Sequence, residues 1–222
     1  LIARRLRELQ FYSEIVPFDE PIEKIREHRP LGIILSGGPS SVYEPGAPQR
    51  NVAELLTIAP LLGICYGMQL ISKELGGVVH QSDQREYGFN QVRWTETFGS
   101  IPPNQKVWMS HGDVVKAPPP HFKIIAQSES GHPAAMKGDR VWAVQFHPEV
   151  AHTEKGSEIL RAFAMELCGA QPTWNTPHMI EILQEEIREK VGPSDHVLCG
   201  LSGGVDSTVV ATLLTKTLGR DR

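Results

Sequence analysis

A cysteine between two glycines is the first candidate for chemistry in this chain. Cys65 lies in the stretch GICYG, residues 63–67, which follows an apolar run and precedes a helical pattern. A G-x-nucleophile-x-G turn between a strand and a helix lifts the nucleophile above the sheet, next to the free N–H groups of the helix. The start of a helix also lowers the pKa of a thiol. Because cysteine is among the residues most often buried, the turn alone leaves core packing open as well.

A histidine and a glutamate could supply the base that a thiol nucleophile needs. His147 and Glu149 stand in the stretch QFHPEV, at the end of a strand-like run. In an extended chain, residues two apart point the same way, so both side chains are expected to face one site. Glu149 would then orient the imidazole and stabilise its charged form, as the third member of a Cys-His-acid triad.

A second candidate site is the glycine-serine loop SGGVDS, residues 202–207. Glycines let the main chain approach phosphate oxygens, and the helix predicted to follow points its N-terminus at them. Ser202 and Ser207 could add hydroxyl donors, and Asp206 could cap the helix or help to hold Mg²⁺. The Lys-Ser/Thr ending of a Walker A loop is absent. The preceding stretch HVLCGLS, residues 196–202, is predicted to be a strand.

Alternating strand and helix patterns are expected to position the first site. The stretch LGIILSGGPSSV predicts a buried strand that runs into a glycine turn, PLLGICYG a strand and turn, and MQLISKELGG a helix. This βαβ alternation predicts an α/β fold with a mostly parallel central sheet and flanking helices. Short β-rich pieces, from FNQVRWTET to VWAVQFHPEV, predict additional, partly antiparallel strands at one side of the sheet.

The chain is expected to hold one domain and the start of another. The amphipathic stretch GSEILRAFAMELCG closes the first domain, residues 1–170, and the polar stretch AQPTWNTP indicates a linker over residues 171–178. The remaining residues, 179–222, are predicted to form the first βα unit of a second α/β domain. Both ends of the chain fall inside helical patterns, so we expect it to be a piece of a longer protein.

Composition excludes several classes of protein. Of 222 residues, 40% are hydrophobic and 22% charged, as in a soluble globular protein. A formal net charge of −4 favours neither nucleic acid nor an anionic membrane as partner. Neither a membrane-spanning run nor a signal peptide is visible in the sequence. Three cysteines far apart do not make a disulfide framework, which favours a reducing, cytoplasmic setting.

Five stretches together resemble the class I, or triad, glutamine amidotransferases: GICYGMQL, SGGPSSV, REYG, VWMSHGD and FHPEVAHT. The resemblance covers roughly residues 1–170 and implies a flavodoxin-like fold. It implies that Cys65 attacks the carboxamide of glutamine, giving a thioester and ammonia. His147 would protonate the departing ammonia and then activate water, while Glu149 holds His147. The N–H groups of Gly38 and Tyr66 would form the oxyanion hole.

The same resemblance implies a pocket for glutamine. The residues that match positions lining it are Gly37, Gln69, Ser110, His111 and Asp113. The resemblance also implies that the glutaminase half needs no cofactor.

The glycine-serine loop SGGVDS, residues 202–207, resembles the pyrophosphate-binding loop of the N-type ATP pyrophosphatases, which adenylate a carbonyl oxygen. The resemblance implies ATP binding by Ser202, Gly203, Gly204, Val205, Asp206 and Ser207, with Asp206 as the candidate Mg²⁺ ligand.

The order of the two domains resembles the glutamine-hydrolysing GMP synthetase family. That resemblance implies a ligase that uses L-glutamine, ATP and Mg²⁺ to aminate xanthosine 5'-monophosphate to GMP, releasing AMP and pyrophosphate. It also implies a cytoplasmic homodimer, formed through a C-terminal portion that these residues do not include. By itself this part of such an enzyme is not expected to make GMP.

Other readings of the residues stay open at this point. Another amidotransferase, such as the glutaminase part of anthranilate or carbamoyl-phosphate synthesis, shares the triad but not the ATP loop. A non-catalytic regulatory module could bind glutamine or a partner with the same fold. The triad alone also fits a cysteine peptidase.

Overall fold

In the part of the chain that the structure describes, seven strands form one sheet. The computed structural model describes residues 1–96 and 100–222. It divides the chain into a first unit, Leu1–Gln171, and a second unit, Pro172–Arg222. The sheet belongs to the first unit and has the strand order β1-β2-β7-β6-β5-β3-β4. Its strands are β1 (Ile33–Leu35), β2 (Leu61–Ile64), β3 (Val78–Trp94), β4 (Asn104–Ala117), β5 (Lys123–Ser128), β6 (Pro133–Lys137) and β7 (Val141–Val144).

The sheet is mixed, and the α/β prediction is confirmed. Among the described residues, β2 pairs in parallel with β1 and with β7, and the other four pairings are antiparallel. The parallel part of the sheet is thus smaller than expected. Much of the sheet is instead antiparallel, because the long strands β3 and β4 pair with each other in a hairpin. The antiparallel strands lie at one side of the sheet, as predicted.

Helices cover both faces of the parallel strands. The helices of the first unit are α1 (Ile2–Glu8), α2 (Ile22–Glu27), α3 (Val52–Leu56), α4 (Tyr66–Glu74) and α5 (Gly156–Ala162), which continues as a π-helix over Phe163–Leu167. Alternate residues of β2 face opposite sides. Leu62 packs in one cluster with Leu160 of α5, and Leu61 in another with Ile71 of α4. A strand buried on both faces explains the unbroken apolar run in the sequence.

Strand β1 is less buried than its apolar sequence predicts. Its three residues are all half-buried. The physical reason is its place at the edge of the sheet, where β2 is the one strand that pairs with it among the described residues. The glycine turn that follows β1 therefore lies beside β2 and the turn that carries Cys65.

The second unit contains two helices, α6 (Thr176–Lys190) and α7 (Val205–Leu218), in its described residues. Helix α6 begins inside the range predicted to be a linker. The predicted strand over residues 196–202 is absent here, and that expectation is wrong for this structure. A strand needs a neighbour to satisfy its backbone, and the Val197 N–H donates to the main-chain oxygen of Arg222 instead.

None of the described helices combines the length and apolar character needed to cross a membrane.

Candidate active site

Cys65 occupies a strained turn between β2 and α4. Its backbone has φ 51° and ψ −105°, a region that residues with a side chain rarely adopt. Two hydrogen bonds hold it there: its N–H donates to Val144 O over 2.8 Å, and its carbonyl accepts from Gln69 N over 3.2 Å. Strain of this kind persists only where the surroundings enforce it, and it is common at functional sites. The turn presents Cys65 at the carboxyl end of the parallel strands.

The two glycines that flank Cys65 are required by close packing. A Cβ built on Gly67 would lie 2.1 Å from the carbonyl oxygen of Leu35 in β1. A Cβ built on Gly63 would lie 2.6 Å from Ile71 Cδ1. The helix that follows the turn thus rests directly on the backbone of β1, which fixes where its N-terminus points.

His147 and Glu149 follow β7 and form a hydrogen-bonded ion pair. Nδ1 of His147 lies 2.8 Å from Glu149 Oε1, and the two side chains are 18% and 10% exposed. The imidazole also interacts with Cys65, and both residues border Gly37. Because Nδ1 is engaged by Glu149, Nε2 is the nitrogen left for the sulfur. The three residues therefore meet, in the order that a Cys-His-acid triad requires.

The interactions with Cys65 and Glu149 raise the pKa of His147 to about 10, although burial opposes this rise. The charged imidazole therefore stabilises the folded site fully below its ordinary pKa. That contribution is lost as the pH rises through about 10. An imidazolium at neutral pH can hold a thiolate and can give a proton to a leaving group.

Replacing Glu149 by Gln should shift this titration. Glu149→Gln removes one of the groups that raise the pKa of His147, so the alkaline limb of the activity profile should move to lower pH. The rate should fall by about 10²-fold, since positioned general acid-base catalysis is weakened. Glutamine hydrolysis measured across the neutral and alkaline range tests this expectation. Glu154→Gln, at an exposed position on the same loop, is the matched control. An unmoved alkaline limb in Glu149→Gln would contradict the assignment.

In the turn after β1, Gly37 lies beside His147 and Cys65, and Gly38 lies beside Tyr66. A Cβ on Gly37 would be 2.9 Å from His147 Cε1 and 3.5 Å from Cys65 Cβ. A Cβ on Gly38 would be 3.6 Å from Tyr66 Cγ. Tyr66 is the first residue of α4, where helical N–H groups have no partner within the helix. The main chain of this turn and of the helix start therefore border the space in front of Cys65.

Of the five residues predicted to line a glutamine pocket, Ser110 has the most direct link to Cys65 besides Gly37. The Cys65 thiol donates to the main-chain oxygen of Ser110 over 3.6 Å. Gln69 is only 3% exposed. Its Nε2 donates to Asp113 O over 2.8 Å and to Gln145 Oε1 over 3.3 Å. Only the carbonyl oxygen of the Gln69 side chain is thus left for a ligand.

His111 is buried between Asp113 and Glu86. Its Nδ1 lies 3.1 Å from the main-chain oxygen of Asp113, and its Nε2 lies 3.1 Å from Glu86 Oε2. Burial would raise the pKa of Glu86, but electrostatic interactions with His111 and Ser128 hold it below its ordinary value. His111 therefore links strands β3 and β4 from within, although the contact of its Nε2 with Glu86 Oε2 lacks hydrogen-bond geometry.

Two residues that the sequence patterns did not single out as site residues donate hydrogen bonds to the main chain of the triad residues. Arg5 of α1 donates from Nε to the main-chain oxygen of Glu149 over 2.9 Å. Thr153 donates from its hydroxyl to the main-chain oxygen of His147 over 2.6 Å. Arg5 stands 144 positions from its partner, so no local pattern could have revealed it. Thr153 is only six positions from His147, and its signal was the FHPEVAHT stretch.

The glycine-serine loop of the second unit precedes α7. Ser202 Oγ lies 3.1 Å from Ser207 Oγ, and Ser207 also donates to Gly204 O over 3.0 Å. Gly203 has φ +83°, which favours glycine. The loop ends at Val205, where α7 begins and its free N–H groups start.

Asp206 is one exposed carboxylate in the first turn of α7. Mg²⁺ is commonly held by one or two carboxylates together with substrate phosphates, so this donor set fits a site that phosphate oxygens would complete. Among the described residues, no cluster of three or more His, Cys, Asp or Glu side chains could hold a metal ion without such help.

Two family models match the chain. The model described as glutamine amidotransferase class-I matches residues 1–167, and the model described as NAD synthase matches residues 176–222. Among curated proteins, a glutamine-hydrolyzing GMP synthase of Bdellovibrio bacteriovorus is 62% identical over 222 residues, which are 100% of this chain and 44% of that relative. One of Thermomicrobium roseum is 49% identical over 99% of this chain and 42% of its own length. The chain thus spans less than half the length of these relatives.

Solved structures show the same fold. A protein of Thermoplasma acidophilum, described as a putative subunit of GMP synthase, has a TM-score of 0.62 and 29% identity, over 75% of this chain and 86% of its own. A glutamine amidotransferase of Thermotoga maritima has a TM-score of 0.57 and 22% identity, over 97% of this chain and 90% of its own; at that identity the likeness concerns the fold alone. With the family model matching residues 1–167, the chain belongs to the class-I glutamine amidotransferase family.

Proposed function

We propose that the first unit hydrolyses glutamine to glutamate and ammonia through Cys65. The observation that carries this proposal is the meeting of a strained cysteine at a helix start with a charged His147–Glu149 pair. The thiolate attacks the side-chain carboxamide carbon, and His147 gives its proton to the departing ammonia. The neutral imidazole then takes a proton from water, which attacks the thioester and releases glutamate. Glu149 keeps the ring oriented through both steps.

The oxyanion formed in each step needs donors next to Cys65. We assign this role to the N–H groups of Tyr66 and Gly38, because Tyr66 begins α4 and Gly38 packs against it. Glutamine itself would lie over Gly37 and against the β4 edge at Ser110. His111 and Asp113 would shape that wall, and the carbonyl oxygen of Gln69 would face the ligand.

The second unit is proposed to bind ATP through residues 202–207. Its support is the sequence of the loop, the hydroxyls of Ser202 and Ser207 beside each other, and the start of α7 behind them. Oxygen-rich phosphates accept hydrogen bonds from such a loop. Asp206 would hold Mg²⁺ on the phosphates, and the ion would neutralise their charge when bound.

For the whole protein we propose the amination of xanthosine 5'-monophosphate to GMP, with AMP and pyrophosphate released. The names of the relatives and the order of the two units support it. Adenylation of the 2-oxygen creates a leaving group, and ammonia from the first unit displaces it. A cytoplasmic homodimer is part of the same proposal.

An electrophilic glutamine analogue should label Cys65 alone. Burial raises the pKa of the Cys168 thiol to about 12, so that thiol stays protonated and unreactive. Cys199 belongs to the second unit and is not among the residues of the candidate glutamine site. Mapping the modified peptide by mass spectrometry tests the assignment, with an excess of glutamine as the protecting control. Modification of Cys168 or Cys199 at a similar rate would contradict it.

A further inference from the structure

A closed ring of three hydrogen bonds joins Thr153, His147 and Trp108. The Trp108 N–H donates to Thr153 Oγ1 over 3.1 Å, and that hydroxyl donates to His147 O over 2.6 Å. The His147 N–H closes the ring by donating to Trp108 O over 3.1 Å. Both main-chain polar groups of His147 are therefore fixed on β4, one directly and the other through the hydroxyl.

The Thr153 hydroxyl forms hydrogen bonds at the outer side of β4, where a neighbouring strand would otherwise pair. Strand β4 is the last of the sheet and pairs with β3 along one side. Its other side receives the His147 N–H and the Glu154 N–H, which donates to Lys106 O over 2.9 Å. Thr153 lies between them, is 5% exposed, and accepts and donates in the same place. Only a hydroxyl among small side chains can fill both roles.

The same edge of β4 carries the contact with the sulfur. Ser110, two residues beyond Trp108, accepts from Cys65 through its main-chain oxygen. The ring thus sets the position of His147 on the strand that also contacts Cys65. A small displacement of a catalytic base costs rate, because proton transfer depends on close, aligned atoms.

We propose that Thr153 is a positioning residue for His147, which holds the imidazole at the distance from Cys65 that catalysis needs. The proposal rests on the glutaminase function proposed above. It predicts that loss of the hydroxyl affects the chemical step and leaves glutamine binding largely intact.

The test compares Thr153→Val with Thr153→Ser. The valine variant keeps the shape and removes the hydroxyl, and kcat for glutamine hydrolysis should fall about 10- to 100-fold while KM changes less than about threefold. The alkaline limb of its pH profile should also move to lower pH, because the bonds that raise the pKa of His147 loosen. The serine variant keeps donor and acceptor and should restore most of the rate. Thr57→Val, which removes an exposed hydroxyl bonded to Glu54 O, is the control.

The outcomes separate the two proposals. An unsubstituted protein without glutaminase activity overturns the proposed function. An active protein whose valine variant matches it in kcat and pH profile overturns the positioning role alone. A serine variant as impaired as the valine variant also overturns it. If the valine variant does not fold, the serine variant is compared with the unsubstituted protein, and a tenfold or greater loss of kcat in a folded serine variant overturns the positioning role. A purely structural role would lower the melting temperature and leave kcat per folded molecule unchanged.

Discussion

Cys65→Ala should abolish glutamine hydrolysis, with a loss of about 10⁴-fold or more. The sulfur forms the covalent bond to the substrate, and no second thiol of the first unit can replace it, since burial keeps Cys168 protonated. Removing the nucleophile of a catalytic unit costs about as much as removing the whole unit. Glutamine binding should survive, because alanine only shortens the side chain. Release of glutamate, followed with purified variant and unsubstituted protein, measures the loss.

Controls distinguish chemistry from damage to the fold. Cys199→Ser removes a thiol of the second unit and should leave the glutaminase rate unchanged. In the whole protein, ammonium added to the Cys65→Ala variant should still support GMP formation, because it replaces the product of the missing step. If Cys65→Ala retains a tenth or more of the glutaminase rate, this result would contradict the covalent mechanism and favour a binding module.

Gly67→Ala should lower the free energy of unfolding of the first unit by about 3 kcal/mol. This value is the upper end of the usual range for overpacking a close contact. The added Cβ would lie 2.1 Å from Leu35 O, and both atoms sit on regular backbone that cannot turn away. Helix α4 would have to move off β1, and Cys65 and the N–H of Tyr66 would move with it. We expect the melting temperature to fall by about 6–12 °C, and the glutaminase rate to fall as well.

The matched control is Gly112→Ala on β4. Its Cβ would lie 3.7 Å from Arg85 Cδ, an ordinary contact, so its effect on stability should stay within about 0.5 kcal/mol. Thermal unfolding followed by circular dichroism compares the two variants. Equal melting temperatures would show that α4 does not rest on β1 as tightly as described.

Local patterns account for the parts of the site that depend on neighbouring residues. The turn around Cys65 follows from a strand, two glycines and a helix in sequence. The shared orientation of His147 and Glu149 follows from a two-residue spacing in extended chain, and the ion pair between them is 2.8 Å long. The residues assigned to the glutamine pocket, the ATP loop and the domain ranges stay predictions.

Expectations based on local pattern were less accurate where pairing matters. Strand β1 has an apolar sequence but lies at the sheet edge, and residues 196–202 have a strand-like sequence but no strand beside them in the described chain. Apolar composition indicates what a segment can bury. It does not indicate which segment will lie next to it.

The α/β class, the turn that carries Cys65 and the pairing of His147 with Glu149 could be predicted from the amino-acid sequence, because each depends on residues close along the chain. Long-range packing brings β4 against the segment after β7, where Thr153 closes a ring, and it brings Arg5 to Glu149 across 144 positions. It also brings His111 to face Glu86 inside the protein. Local sequence patterns cannot predict these contacts, because they depend on packing among residues that are far apart in the chain.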